Sequence, residues 1–415
     1  MNKTFLVKIF ILVFSLLCIN GLTSIRAVRA NTIIVPDDYS TIQQAIVKAN
    51  DGDTVFVKNG IYAIDSNTLL IIDKTISLIG EDSENTIILG LFNSYSASTP
   101  GIRVAAPNVT ISGFTITNFQ TAIAIANYYR ESFPSGCKII FNNIVNNSEG
   151  IRPQRSDLLI YGNNITKNQS GISGWNTENI VISGNNIAHN GYGINIGVCS
   201  NITVSGNTIS NNTGGLNLVY YGPHFVYGNN ITNNDWGLRF AEGCSNAEVY
   251  GNIIAQNKAG IVLLIFPNQG DVVFSGVGNT VFGNIFVDNS EQVIQNEGEF
   301  GYLNMSYSKG TDVVLWDNGS VGNYWGDYLI KYPNATEIGN SGVGDMSYVI
   351  DVDNIDYYPL VDVFNVSPVI SLFPTPIPSP NPVPEPFPTT IVLASVIITV
   401  IIGLGVLAYF KKRRS

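Results

Sequence analysis

The chain has 415 residues, 45% of them hydrophobic and only 13% charged, with 40 glycines. Such a composition excludes a disordered polymer. Setting aside eight basic residues at the two ends leaves 13 basic against 31 acidic residues, about −18, and this excludes nucleic acid as a partner.

In chain order, Lys3 and Lys8 precede an apolar run from Ile9 to Ile19, and Val28 and Ala30 put small residues before Asn31. Residues 1–30 therefore read as a secretory signal. Cys18 leaves with it and, following Leu17, lacks a lipidation context. Residues 31–112 read as an N-terminal cap with the first coils of a repeat. Within them, Ser40 or Thr41 can cap a short helix whose apolar face is Ile42, Ala45, Ile46 and Ala49, with Gly52 ending it. That helix is expected to lie over the first coil. KTISLIGE (74–81) and NTIILG (85–90) read as opening strands.

Residues 113–315 repeat one phrase with steps of mostly 21–23 residues. SGNNIAHNGYGI, SGNTISNNTGGL and YGNNITNNDWGL follow one another at 22-residue intervals. Gly113, Phe141, Gly162, Gly184, Gly206, Gly228, Gly251 and Gly283 share one slot. Three positions on comes an apolar residue, Ile116 in the first repeat and Phe286 in the last. Short alternating runs such as Ile180-Val181-Ile182 precede the slot. Three alternating pieces per 22 residues suit strands of a stacked coil and not helices. A leucine-rich solenoid has a similar period but wants leucines and an asymmetric unit.

Two asparagine columns run through the repeat. One is Asn142, Asn163, Asn185, Asn207, Asn229, Asn252 and Asn284; the other is Asn147, Asn168, Asn190, Asn212, Asn234, Asn257 and Asn289. Amides stacked at strand spacing can bond up and down an axis, and asparagine tolerates the left-handed backbone of tight corners. The phrase is expected to build corners and ladders and to carry no chemistry, since catalysis needs one distinctive constellation.

A distinctive constellation does occur on one side of the coils. Asp235, Trp236, Arg239 and Glu242 lie together in sequence; Asn217, Asn195 and Arg152 should share a column with Arg239; Tyr192 and Trp175 should lie nearby. Aromatic faces stack on pyranose rings while amides and guanidinium groups bond hydroxyls, so this is the candidate carbohydrate-binding strip. Cys199 and Cys244 fall at the same repeat position two coils apart, about 9–10 Å, too far for a disulfide. With Cys137 they are expected to be free, buried thiols. Longer loops at 126–136 and 267–278 interrupt the coils. About eleven Asn-x-Ser/Thr sequons, among them Asn108, Asn201, Asn304 and Asn334, make glycosylation an expectation, with Asn168 and Asn211 poor acceptors because they lie in or beside a ladder column.

Residues 316–366 read as a C-terminal cap, and Asp345, Asp351, Asp353 and Asp356 within it offer oxygen ligands for Ca²⁺. Residues 367–390 form a proline-rich linker. Residues 391–410 are an apolar stretch long enough to span a bilayer, and the basic tail at 411–415 should stay cytoplasmic. The order VPEP, apolar run, basic tail is also similar to prokaryotic sorting signals.

The segments VPDDYSTIQQAI, GDTVFVKNGIY, KTISLIGE, the GNNI repeats, NYWGDY and VGDMSYVIDVDNIDYYPL together resemble the NosD-like branch of the pectin-lyase-like parallel β-helix families, over about residues 32–365. The resemblance implies an all-β, single-stranded right-handed parallel β-helix with an N-terminal capping helix, followed here by a C-terminal transmembrane helix. It implies an exported prokaryotic protein, with an archaeal source as the expectation. Such families include polysaccharide lyases and hydrolases, carbohydrate-binding surface proteins and a factor named for copper delivery to nitrous oxide reductase. Copper would want soft or imidazole ligands, here His189, His224, Cys137, Cys199, Cys244, Met305 and Met346. The two histidines fall on different sides of neighbouring coils and read as polar surface. The expectation is a single-pass, surface-displayed scaffold that recognises carbohydrate, surface-layer or other cell-surface partners without catalysis. A polysaccharide lyase or hydrolase and a copper maturation factor are the alternatives.

Overall fold

A computed structural model describes residues 30–65, 69–91, 100–126, 134–154, 157–265, 278–297 and 314–363. The signal, the linker, the apolar stretch at 391–410, the tail, Met305, Asn304 and most of both long loops lie outside them. Among the described residues no helix is long and apolar enough to cross a membrane.

The repeat coils into a right-handed parallel β-solenoid of about ten turns. Each coil contributes one strand to each of three parallel sheets of 11, 11 and 10 strands. Sheet A runs from Thr32–Val35 to Thr280–Phe282, sheet B from Gly60–Ile64 to Tyr324–Trp325, and sheet C from Leu70–Ile72 to Glu291–Glu297. Like residues meet like residues: Ile144, Ile165, Ile187, Ile209, Ile231, Ile254 and Phe286 form one register file in sheet B. All seven are fully buried. Period-2 alternation turns these side chains inward, and each contributes about 1.5–3 kcal/mol by leaving water.

The corners refine the expectation. The left-handed residue is not the ladder asparagine but the residue before it. Between sheets A and B that residue is usually glycine, as at Gly184 and Gly206 (φ 63° and 62°). Phe141 takes the same conformation (φ 54°), and its ring lies where a side chain on Gly162 would stand. Between sheets B and C the left-handed residues are varied, including Lys167, His189, Asn211, Gln256 and Asp288.

Both asparagine columns are buried files. Asn207 shows the pattern. Its backbone N–H and its Nδ2 both donate to Asn229 Oδ1 at 2.9 Å, and Nδ2 also donates to the Ile182 carbonyl at 2.9 Å. Its own Oδ1 accepts the same pair of bonds from Asn185. Every amide is therefore saturated, which removes the cost of burying it. The first file continues past the repeat to Asn323, whose N–H donates to the Asp356 carboxylate at 2.7 Å. The second ends at Asn289, which donates to Gln292.

Helix α1 spans Ile42–Lys48 and packs on the first strands of sheets A and C through Ile42, Ala45 and Ile46. Thr41 is its N-cap, accepting from the Gln44 N–H. The helix stops at Ala49, which is extended (ψ 152°), and Gly52 serves the turn beyond instead of ending the helix. After the last coil, the 314–363 segment stacks Trp325 on Phe286 and Tyr348 on Trp325, with ring centroids 4.4 and 4.3 Å apart. It includes a short helix, α2 (Tyr328–Lys331).

Candidate ligand-binding face

The outward side of sheet C places most of the sequence-derived site residues together. One register file reads Ser170, Tyr192, Gly214, Trp236 and Ala259. A second, three residues along each strand, reads Ser173, Asn195, Asn217, Arg239 and Val262. Arg152 belongs to the second file, beside Ser173, by the pairing of Ile151 with Ile172. A third reads Trp175, Gly197, Val219 and Ala241. At about 3.3 Å per residue the outer files stand roughly 16 Å apart with the polar file between them.

Glycine shapes this surface. A Cβ on Gly214 would stand 2.1 Å from the Trp236 indole, and one on Gly197 would stand 2.8 Å from the Trp175 indole. Both rings therefore lie over the neighbouring coil, Trp236 over the preceding strand and Trp175 over the following one. Tyr192 meets Trp236 with centroids 6.0 Å apart, and the Arg239 guanidinium sits 4.5 Å from the Trp236 ring centroid. Trp175 is 50% exposed and Tyr192 39% exposed, so apolar ring surface faces solvent. Arg239 Nε donates to Asn217 Oδ1 and Asn217 Nδ2 to Asn195 Oδ1, both at 2.8 Å. Burial lowers the Arg239 pKa, with Tyr192 opposing the shift. The relay fixes the guanidinium through its Nε, and Tyr192 adds a side-chain hydrogen bond to it.

The carboxylates here are already engaged. Asp235 pairs with Lys258 at 2.6 Å, and Glu149 pairs with Arg152 and accepts from Thr121. Glu242 belongs to the Trp236–Cys244 strand. Sequence reasoning found the aromatic and polar residues but missed Gly214 and Gly197. The doubled glycine Gly214-Gly215 was the available signal.

The acidic residues of the 314–363 segment do not converge. Asp345 accepts from the Thr336 N–H and hydroxyl, and Asp351 closes a turn with Asp353 and Asn354. Asp356 is fully buried, where it accepts from Asn323, Trp325 Nε1 and the Tyr358 N–H. Burial pushes its pKa up to about 7, against the pull of those donors.

His224 is not polar surface, contrary to expectation. It is 1% exposed because it occupies the inward file after Ile202, and among the described residues neither ring nitrogen meets a partner at full hydrogen-bond geometry, the Tyr221 backbone being the nearest influence. Burial lowers its pKa to about 4. His189 is exposed at a corner. Cys137, Cys199 and Cys244 are free and buried, and burial raises the Cys244 thiol to about 12.

A protein-family model described as "Periplasmic copper-binding protein (NosD)" matches residues 48–201 and 107–329, most of the chain. The chain belongs to the NosD family. No curated protein matches it. Among solved structures, it is similar to the mannuronan C-5 epimerase AlgE6 A-module of Azotobacter vinelandii, at 17% identity over 62% of this chain and 91% of that one, with a TM-score of 0.46. Pectate lyase Pel9A gives 12% identity, 70% and 84% coverage and a TM-score of 0.46. The Dettilon tailspike protein gives 15%, 71% and 66% with a TM-score of 0.42. The periplasmic description of NosD is in keeping with an exported protein; an archaeal origin has no support in these matches.

The copper in the family description would need soft or imidazole donors brought together. Cys199 Sγ is occupied by the Gly197 carbonyl and Thr177 hydroxyl, and Met346 stands at the surface of the 314–363 segment. Among the described residues no group of three or more His, Cys, Asp or Glu side chains is arranged to hold a metal ion. The described donors of this NosD chain therefore do not fit a three-ligand copper centre.

Proposed function

We propose that the solenoid is a displayed recognition module that binds a glycan strand along the outward face of sheet C. The observation that carries this reading is the Trp236 indole packed over Gly214 beside the Arg239–Asn217–Asn195 relay. A partly exposed ring suits the apolar face of a pyranose, and a guanidinium held in place by the buried Asn217 suits its hydroxyls. The engaged state of Asp235 and Glu149 favours binding over hydrolysis, which needs a free carboxylate pair. In this reading residues 1–30 direct export, α1 and the 314–363 segment close the two ends of the core, and residues 391–410 anchor a proline stalk in the membrane. A solenoid requires such end closure to stay soluble.

The test is a glycan and polysaccharide panel presented to the purified protein. Saturable binding that weakens about 30-fold in Trp236→Ala supports the reading, as expected for a central aromatic anchor. New reducing or unsaturated ends would instead make the protein a carbohydrate-active enzyme. Binding only to surface-layer proteins would exclude the glycan.

A further inference from the structure

The repeat phrase generates Asn-x-Ser/Thr sequons, and the fold sorts their asparagines by exposure. In Asn230-Ile231-Thr232 the isoleucine is buried while Asn230 faces out. Asn201-Ile202-Thr203 repeats this in sheet A. Asn146 and Asn211 occupy exposed left-handed corners between sheets B and C. Asn318 and Asn334 are exposed after the last coil. Asn168 is the counter-example. Its Nδ2 donates to both the Ile144 carbonyl and Asn190 Oδ1, each at 3.1 Å, and it is 4% exposed within the second file.

We propose that this protein is N-glycosylated at Asn146, Asn201, Asn211, Asn230, Asn318 and Asn334 and not at Asn168. The reaction takes a lipid-linked oligosaccharide as donor. The side-chain Nδ2 attacks the anomeric carbon, the bond from that carbon to the lipid phosphate breaks, the phosphate leaves with the electron pair, and Nδ2 gives up one proton. The product keeps one N–H. Asn201 can thus retain its 2.7 Å bond to Asn179, and Asn211 its 3.3 Å bond to Ser210. Asn168 uses two Nδ2 bonds inside the file, so a sugar there would cost a buried partner as well as the space. Asn211, read from the sequence as a poor acceptor, stands exposed. Lying beside a ladder column places it on the outside, whereas lying in one buries Asn168.

The pattern has a direction. Among the described residues no sequon asparagine lies in a strand of sheet C, although Asn195 and Asn217 are there. Glycans on sheets A and B, the corners and the terminal segment would coat the coils from outside the strands of sheet C. The modification itself does not depend on the aromatic strip binding anything.

The full chain, carrying a reference Asn-Gly-Thr sequon inserted in the proline-rich spacer, is expressed in cells with an N-glycosylation pathway. Molecules modified at the reference are isolated by mass, and occupancy is read by glycopeptide mass spectrometry. Occupancy at the exposed asparagines with Asn168 bare is the expected result, and Asn201→Gln and Asn230→Gln each remove one glycan mass. The proposal is overturned if all six are bare in those molecules, or if Asn168 carries a glycan in the protease-resistant folded fraction. A negative glycan panel leaves this result untouched, so the two readings fail separately.

Discussion

Asn212→Ala tests the buried amide file at its middle. Asn212 Oδ1 accepts from the Asn190 N–H at 2.9 Å and from Asn190 Nδ2 at 3.1 Å, while its own Nδ2 donates to the Ile187 carbonyl and to Asn234 Oδ1. Alanine leaves the Asn190 N–H with no acceptor, at about 1–3 kcal/mol for an orphaned buried donor. Asn190 Nδ2 keeps its bond to Ile165, and Asn234 Oδ1 keeps the Asn212 N–H, so those losses are partial. The Ile187 carbonyl loses one donor. Together these come to about 3 kcal/mol. Urea unfolding followed by circular dichroism should show a midpoint lower by about 1 M, at a slope near 3 kcal/mol/M. Hydrogen exchange should place the loss in the coils on either side, since a solenoid couples mainly to its neighbours. Thr213→Ala, exposed in the same coil, is the control and should stay within about 0.5 kcal/mol of wild type. If the two variants unfold at the same midpoint, the file contributes nothing and the account of the fold is wrong.

Gly214→Ala should drive the Trp236 indole off the sheet, because the new methyl group would stand 2.1 Å from it; glycan affinity should fall about tenfold and tryptophan emission should shift, with little change in unfolding midpoint. His224 has a folded pKa of about 4 against 6.5 unfolded, so the unfolded chain binds more protons between those values and stability should fall by about 3 kcal/mol as pH drops through that window. His224→Ile, matching Ile202 before it, should remove that fall, and an unchanged pH profile would refute the buried, neutral imidazole. Asp356 acts in the opposite sense: its folded pKa of about 7 lies above 3.8, so the native state holds the extra proton and its contribution is lost as pH rises from 3.8 to 7. Asp356→Asn should cost about 1–3 kcal/mol at pH 8, read by urea midpoint, since one carboxylate oxygen accepting from Tyr358 or Trp325 becomes a donor.

The coils were legible because alternation and a 22-residue period put every inward isoleucine in a fixed column. The lateral neighbours of Arg239 followed from the same counting. His224 was misread because its strand starts four residues before its glycine, and the inward file there had to be counted from Ile202. The end of the first amide file was hidden because Asn323 lies 39 residues after Asn284, far off the period, and its partner Asp356 lies another 33 beyond. The placement of the Trp236 indole was hidden for a different reason. Its posture depends on what a neighbouring coil lacks, and no pattern within its own strand reports the missing methyl group at Gly214.

The amide files carry one more implication. Each coil hands the next an identical oxygen at an identical height, so the junction between any two is interchangeable with the junction between any other two. A whole unit between Asn185 and Asn207 could be excised or duplicated and the severed faces would still mate, 22 residues at a time. The length of the solenoid is then a quantity that recombination can lengthen or shorten in whole steps without redesigning either extremity.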